Sequence, residues 1–240
     1  VFPRRSIVIK HWICQNSLFR MNEFITHHPH KEFLEGLIAG DRRFCSRYAH
    51  TYLEKNPSIQ DLYEHVFKAS LYEIGKLWEY NKISVATEHL ASAIVEAILN
   101  DFYQEIVSET KQEKTVILSC IENEQHQIGL KMVSDVFEMK GWKTYFLGAD
   151  TPSKELVDYT KLIKPDLLSI SMSLYFHLPN LISTIQRLRK EFPQIPILVG
   201  GQAFEHGGVE SLEEFNHLYF KPDLKSTETF IKEMHTHGQE

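Results

Sequence analysis

The chain has 240 residues, enough for two modest domains that each bury a core. Hydrophobic residues make up 42% and charged residues 24%, the balance of an ordinary soluble globular protein. The net charge of -6 argues against bulk nucleic-acid binding. No apolar run reaches the roughly 20 residues of a membrane span, and three scattered cysteines without a C-x-x-C pair (Cys14, Cys45, Cys120) point to reduced thiols in the cytoplasm and to no zinc site.

Residues 1–20 stand apart, with Arg4, Arg5, Lys10 and Arg20 and no acidic residue. Lys10 and His11 interrupt the apolar stretch, so a secretory signal fits poorly. An Arg-rich presequence is one alternative, and a disordered extension over 1–30, with Met21 as a second start, is the simpler one. His27-His28-Pro29-His30 reads as a solvated connector, with metal binding as the alternative.

From Lys31 to about Ser108 the apolar spacing is helical. Phe33, Leu34, Leu37 and Ile38 form one stripe, and Asp41 is placed to cap a second helix carrying Phe44, Tyr48, Tyr52 and Leu53. Pro57-Ser58 opens a third helix through Leu62, Val66, Phe67, Leu71, Ile74, Leu77 and Trp78. Ser84 caps a fourth, with Leu90, Ile94, Val95, Ile98 and Phe102 inward. Four helices with short connections predict a bundle over 31–108.

A charged stretch, Glu109 to Lys114, leads into alternating strands and helices over 114–240. Predicted strands are Thr115–Cys120, Lys143–Leu147, Leu167–Met172, Ile195–Val199 and a weak one at Leu218–Phe220. Predicted helices are Gln127–Lys140, Ser153–Ile163, Leu178–Glu191, a short one after Gln202, and Ser226–Met234. The fold class expected is α/β with an all-α cap: a four-helix bundle followed by a doubly wound, flavodoxin-like five-stranded parallel sheet.

The first strand runs into Glu124-Gln125-His126-Gln127-Ile128-Gly129, which places His126 in a strand-to-helix loop, where open α/β sheets hold ligands. Gly129 serves either a close turn or the approach of a bulky ligand. Taken alone this is as readily an ordinary polar loop. In a flavodoxin-like order the loops after strands one, three and four converge, and they carry Glu124-x-His126-x-x-Gly129, Ser171-x-Ser173 and Gly200-Gly201. Glu124 is placed to orient the imidazole of His126, as carboxylates commonly do for metal-ligating histidines.

In these residues, over roughly Lys114 to Met234, the chain resembles the cobalamin-binding domain family. Its signature is Asp/Glu-x-His-x-x-Gly, then Ser-x-Leu/Thr, then Gly-Gly. The resemblance implies a base-off, His-on cofactor with His126 as the lower axial ligand of cobalt. Ser171 would hydrogen-bond the displaced base, Gly200-Gly201 would line its channel, and Ser173 stands where many members have Leu. Trp78, nine intervening residues, then Glu88-His89 resembles a motif of the cobalamin-dependent photoreceptors. There the indole covers a 5′-deoxyadenosyl group, and Glu and His lie beside its ribose. The alternative is that Trp78 is bundle core and Glu88-His89 a solvated helix start. Glu79 departs from the His that follows the Trp in the best-known photoreceptors, where that His ligates cobalt after photolysis.

What the resemblance implies is an adenosylcobalamin light sensor without a DNA-binding domain of its own, acting in the cytoplasm as a dimer through an unknown protein partner. Direct nucleic-acid or membrane binding is not expected. A second chromophore, biliverdin or another bilin, is a variant of this reading. A corrinoid carrier of a methyltransferase system is the alternative, and an enzymatic activity of the chain itself stays open.

Overall fold

The computed structural model describes residues 28–236; of the expected extension over 1–30, residues 1–27, His27 among them, lie outside the described residues. The chain divides into two units, one ending at Asn100 and the other beginning at Asp101. The second unit thus starts ahead of the charged stretch at which the helical domain was expected to end. Phe102 and Ile106 are buried at its beginning, and a short helix, Tyr103–Ile106, lies between them.

The first unit is helical. Helix α1 spans Lys31–Ala39 and stops at Gly40, whose left-handed φ of 71° closes the turn. Helix α2, Arg42–Lys55, is capped by Asp41, which accepts from Phe44 N–H at 3.0 Å. Helix α3 is continuous through three segments, Ile59–Asp61, Leu62–Lys68 and Ala69–Glu79, and starts at Ser58, which accepts from Asp61 N–H. Helix α4, Val85–Asp101, starts beyond Ser84, whose hydroxyl accepts from Thr87 N–H. All three expected caps therefore satisfy an otherwise orphan amide.

Leu62–Lys68 is a π-helical segment. The buried positions keep helical spacing through it: Leu62, Val66, Phe67, Ile74 and Leu77 of the expected stripe are buried. Tyr63 and Ser70 are also fully buried, whereas Leu71 is only half-buried and Trp78 is 49% exposed, not inward as the repeat predicts. On α2 the buried line is Cys45 and Ala49, with Phe44 and Tyr48 flanking it. His30 is held by Tyr48 and packs on Tyr52, so this histidine is an anchored part of the unit, not a solvated connector.

The second unit is a parallel sheet of β1 (Thr115–Cys120), β2 (Lys143–Gly148), β3 (Leu167–Ser171), β4 (Ile197–Gly200) and β5 (Leu218–Phe220), in the order β2-β1-β3-β4-β5. β3 is buried along its whole length and β1 beyond its first residue, as strands covered on both faces must be. Helices α6 (Ile128–Met139), α7 (Ser153–Ile163), α8 (Leu178–Glu191) and α9 (Leu224–Thr236) make the layers, after Tyr103–Ile106 as α5. α7 pairs with α8, and α6 with α9. Leu156 of α7 and Leu181, Ile185 and Leu188 of α8 share a core with Ile117, Leu168, Ile170 and Val199 of the sheet. The order in which strands are added to the sheet reverses between β1 and β3, the point at which such sheets open a crevice at the strands' carboxyl ends. Among the described residues no helix is long and apolar enough to cross a membrane.

Candidate cobalamin-binding site

β1 ends at Cys120, which pairs with Ser171 at the end of β3, and Ser171 pairs with Gly200 at the end of β4. Three of the expected site segments thus leave the sheet side by side. The loop after β1 is pinned against the loop after β2. Asn123 N–H donates to Asp150 Oδ1 at 2.7 Å, and Asp150 N–H donates to the Glu124 carbonyl at 2.8 Å. Asn123 and Asp150 both adopt left-handed backbone, φ 69° and 49°, tolerated because such short polar side chains bond locally. Gln127 Oε1 accepts from Ala149 N–H, and Gly148 leaves the room, since a Cβ there would lie 2.5 Å from that oxygen.

This latch turns the Glu124 side chain inward, where it is fully buried. Oε1 accepts from His126 N–H at 3.0 Å and faces His126 Nδ1 at 2.5 Å. Oε2 accepts from Ser173 N–H at 2.9 Å and Leu174 N–H at 3.1 Å, and faces His177 Nδ1 at 3.3 Å. Burial by itself would push this carboxyl up. The hydrogen bonds from the His126 ring and from the His126 and Ser173 amides outweigh it and hold the group down at about 2. An ionised carboxylate only accepts, so His126 carries its ring proton on Nδ1 and its lone pair on Nε2. The imidazole is 53% exposed. An oriented histidine whose Nε2 is the acceptor in the neutral ring is the donor that a single-point metal contact needs. Among the described residues no group of three or more His, Cys, Asp or Glu is placed to hold a metal ion.

The small residues fall into two kinds. Gly129 lies in the first turn of α6 without left-handed backbone, and a Cβ on it would meet nothing within 4 Å. Of its two expected uses, a close turn and room for a ligand, only the second fits. Gly201 has φ 120°, and a Cβ there would stand 2.2 Å from the Met172 carbonyl oxygen, so its glycine is required by backbone packing. Gly200 is milder, 3.1 Å from the Lys221 carbonyl. Ser171 is buried at the strand end. Ser173 acts through its amide on Glu124, a contribution any residue type supplies. Tyr175 and Phe176 follow at once, and Phe176 is 71% exposed.

On the helical unit Trp78 lies exposed at the end of α3, which sets aside the bundle-core alternative. Glu88 is part-buried in the first turn of α4, receives Ser92 Oγ at 3.1 Å on Oε1, and meets His89 Nδ1 at 2.5 Å on Oε2. His89 itself is largely exposed. Sequence reasoning missed His177, the Leu174 amide, and the Asn123–Asp150 latch. Nothing in local spacing marks the first two, whereas the polar Glu122-Asn123 step is a recognisable turn signal.

Comparison with known proteins agrees with this geometry. Residues 30–100 and residues 114–219 each match a B12 binding domain. The HTH-type transcriptional repressor CarH of Myxococcus xanthus is 27% identical over 142 residues, 59% of this chain and 47% of the relative. CarA of the same organism is 28% identical over 120 residues, 50% of this chain and 41% of the relative. The chain thus spans less than half the length of these two. Trimethylamine corrinoid protein 1 of Methanosarcina mazei is 28% identical over 147 residues, 59% of this chain and 68% of that protein. The Methanosarcina barkeri monomethylamine corrinoid protein shares the fold, with a TM-score of 0.73 at 14% identity over 85% of this chain and 96% of that one. With both of its units matched in this way, the chain belongs to the B12 binding domain family.

Proposed function

We propose that the protein holds adenosylcobalamin base-off and His-on, with His126 Nε2 as the lower axial ligand of cobalt, and that it senses light. The observation that carries the cofactor reading is the buried Glu124 carboxylate fixing the His126 ring by Nδ1 beside the open space at Gly129. Bound adenosylcobalamin supplies a Co–C bond that visible light cleaves. The chain's residues bind, orient and exclude water. His126 ligates, Glu124 fixes its tautomer, and Ser171, Ser173, Gly200 and Gly201 border the channel for the displaced base. Trp78 offers a flat apolar face and Glu88 a carboxylate for ribose hydroxyls, with His89 beside it. The exposure of Trp78 supports this use, because an indole left in water at a helix end gains by covering a flat ligand. A change at a dimer or partner interface of the chain would be the readout of that chemistry.

Any bilin held as a second chromophore would be noncovalent as far as the described cysteines go. Cys45 and Cys120 are buried, and burial pushes both thiols up to about 12, so neither is a nucleophile near neutral pH. A second reading, a methyl-carrying corrinoid protein, is favoured by the 68% of the Methanosarcina mazei trimethylamine corrinoid protein that the chain covers. One experiment separates the two. Purified protein is loaded in darkness with adenosylcobalamin or methylcobalamin, desalted, scanned, lit with green light, scanned again and sized. Retention of adenosylcobalamin, conversion to a stable protein-bound product and a change of assembly support the sensor. Preference for methylcobalamin with unchanged assembly supports the carrier, and retention of neither overturns both.

A further inference from the structure

The carboxylate that orients His126 is shared with a second histidine. Oε1 of Glu124 serves the loop after β1, through His126, and Oε2 serves the loop after β3, through Ser173 N–H, Leu174 N–H and the ring of His177. His177 is buried, closes the 3-10 turn Tyr175–His177, and stands immediately before α8. Its own amide donates to the Leu174 carbonyl at 3.0 Å, and the Phe176 ring packs edge-on against its imidazole at 4.2 Å. The ring is therefore set by backbone and packing before any ligand arrives.

We propose that His177 is a positioning residue for His126: its Nδ1–H anchors Oε2 of Glu124, so that Oε1 takes the Nδ1 proton of His126 and Nε2 is left as the ring's acceptor. Without the His177 ring the carboxylate keeps amide donors on both oxygens, Ser173 and Leu174 on Oε2 and His126 on Oε1, and can tilt about its last bond. The contact of Oε1 with the His126 ring then weakens, and the Nδ1–H tautomer is favoured less. The two loop amides restrain Oε2 from one side, and the His177 ring adds a third donor from the start of α8, at the longest distance of the three. The arrangement joins loops from the two parallel strands between which the strand order reverses, so the ligand histidine is coupled to the segment carrying Ser171 and Ser173. The inference rests on His126 as the cobalt ligand, yet its geometry concerns the protein without cofactor.

The test uses the whole chain and four variants. His177→Ala and His177→Phe remove the donor, the second while filling the space, and His177→Gln restores an N–H donor. Leu181→Ala, which removes a buried apolar side chain of α8 that offers Glu124 no hydrogen bond, controls for loosened packing. Long-range 1H–15N spectra of the cofactor-free protein report the His126 tautomer directly. Wild type, His177→Gln and Leu181→Ala are expected to show the Nδ1–H form, and His177→Ala and His177→Phe a mixture of tautomers. Titration with adenosylcobalamin in darkness is expected to show a roughly 10–100-fold weaker affinity and a reduced His-on spectrum for the Ala and Phe variants, with most of both recovered in Gln. A single Nδ1–H tautomer and unchanged affinity in His177→Phe overturn the proposal, as does equal behaviour of Phe and Gln. Should wild type show no His-on spectrum at all, the ligand reading fails, and the tautomer measurement still decides the role of His177.

Discussion

The carboxylate of Glu124 is wholly removed from water and still ionised, because five hydrogen-bond donors among the described residues replace the solvent. Its acid dependence follows from that. The folded value, about 2, lies below the ordinary 4.5, so the group's contribution to stability is complete above pH about 4.5. It is lost as pH falls toward 2. Glu124→Gln is expected to flatten the dependence of melting temperature on pH in this window and to lower stability near neutrality. Melting curves of the cofactor-free protein and the variant at stepped pH check both. His126→Ala is expected to bind corrinoid more weakly and to lose the His-on absorption spectrum, with the fold intact, because the imidazole is a half-exposed loop side chain that supports no core.

At the scale of elements, the site depends on how closely two strand ends approach. Gly201 has left-handed backbone and no space for a methyl group against the Met172 carbonyl. Gly201→Ala is expected to destabilise the protein by roughly 1–3 kcal/mol, read as a lower melting temperature, with disturbance spreading to Ala203, whose amide donates to the same carbonyl. Gly129→Ala tests the opposite case. The added methyl meets nothing, so stability is expected to hold or rise slightly in this helical position while cobalamin affinity falls; a thermal shift compared with a titration separates the two effects. Helices α7 and α8 run over the predicted residues because proline or a polar start, regular apolar spacing and a clear end all agree. In α3 the predicted stripe holds at Leu62, Val66, Phe67, Ile74 and Leu77, and its edge positions Leu71 and Trp78 lie further out than the repeat predicts.

At the scale of the whole molecule, the two units carry separable parts of the proposed function. The sheet unit contains the complete Glu124–His126–His177 arrangement, so a fragment starting at Asp101 is expected to take up cobalamin with a His-on spectrum. It is expected to lose the preference between adenosyl and methyl forms that the full chain shows. In the full chain Trp78→Ala is expected to narrow that preference without abolishing binding, measured as the ratio of the two dissociation constants. Equal ratios in wild type and variant would count against the photoreceptor role and in favour of the carrier.

Much of this was legible in the chain itself. Alternating strand and helix periodicity determined a parallel sheet, the order of its elements and the loops that carry function, because burial on both faces writes continuous apolar strands between amphipathic helices. Glu124, His126 and Gly129 were legible because they are close in sequence, and the pairing of Cys120, Ser171 and Gly200 followed from strand order. Only the tertiary structure brought His177 to the far oxygen of Glu124, 53 positions away in sequence. It alone divided the glycines between open space at Gly129 and backbone packing at Gly201, and left Trp78 half-exposed. Those outcomes depend on where loops and helix ends deliver side chains in space, which periodicity along a chain does not encode.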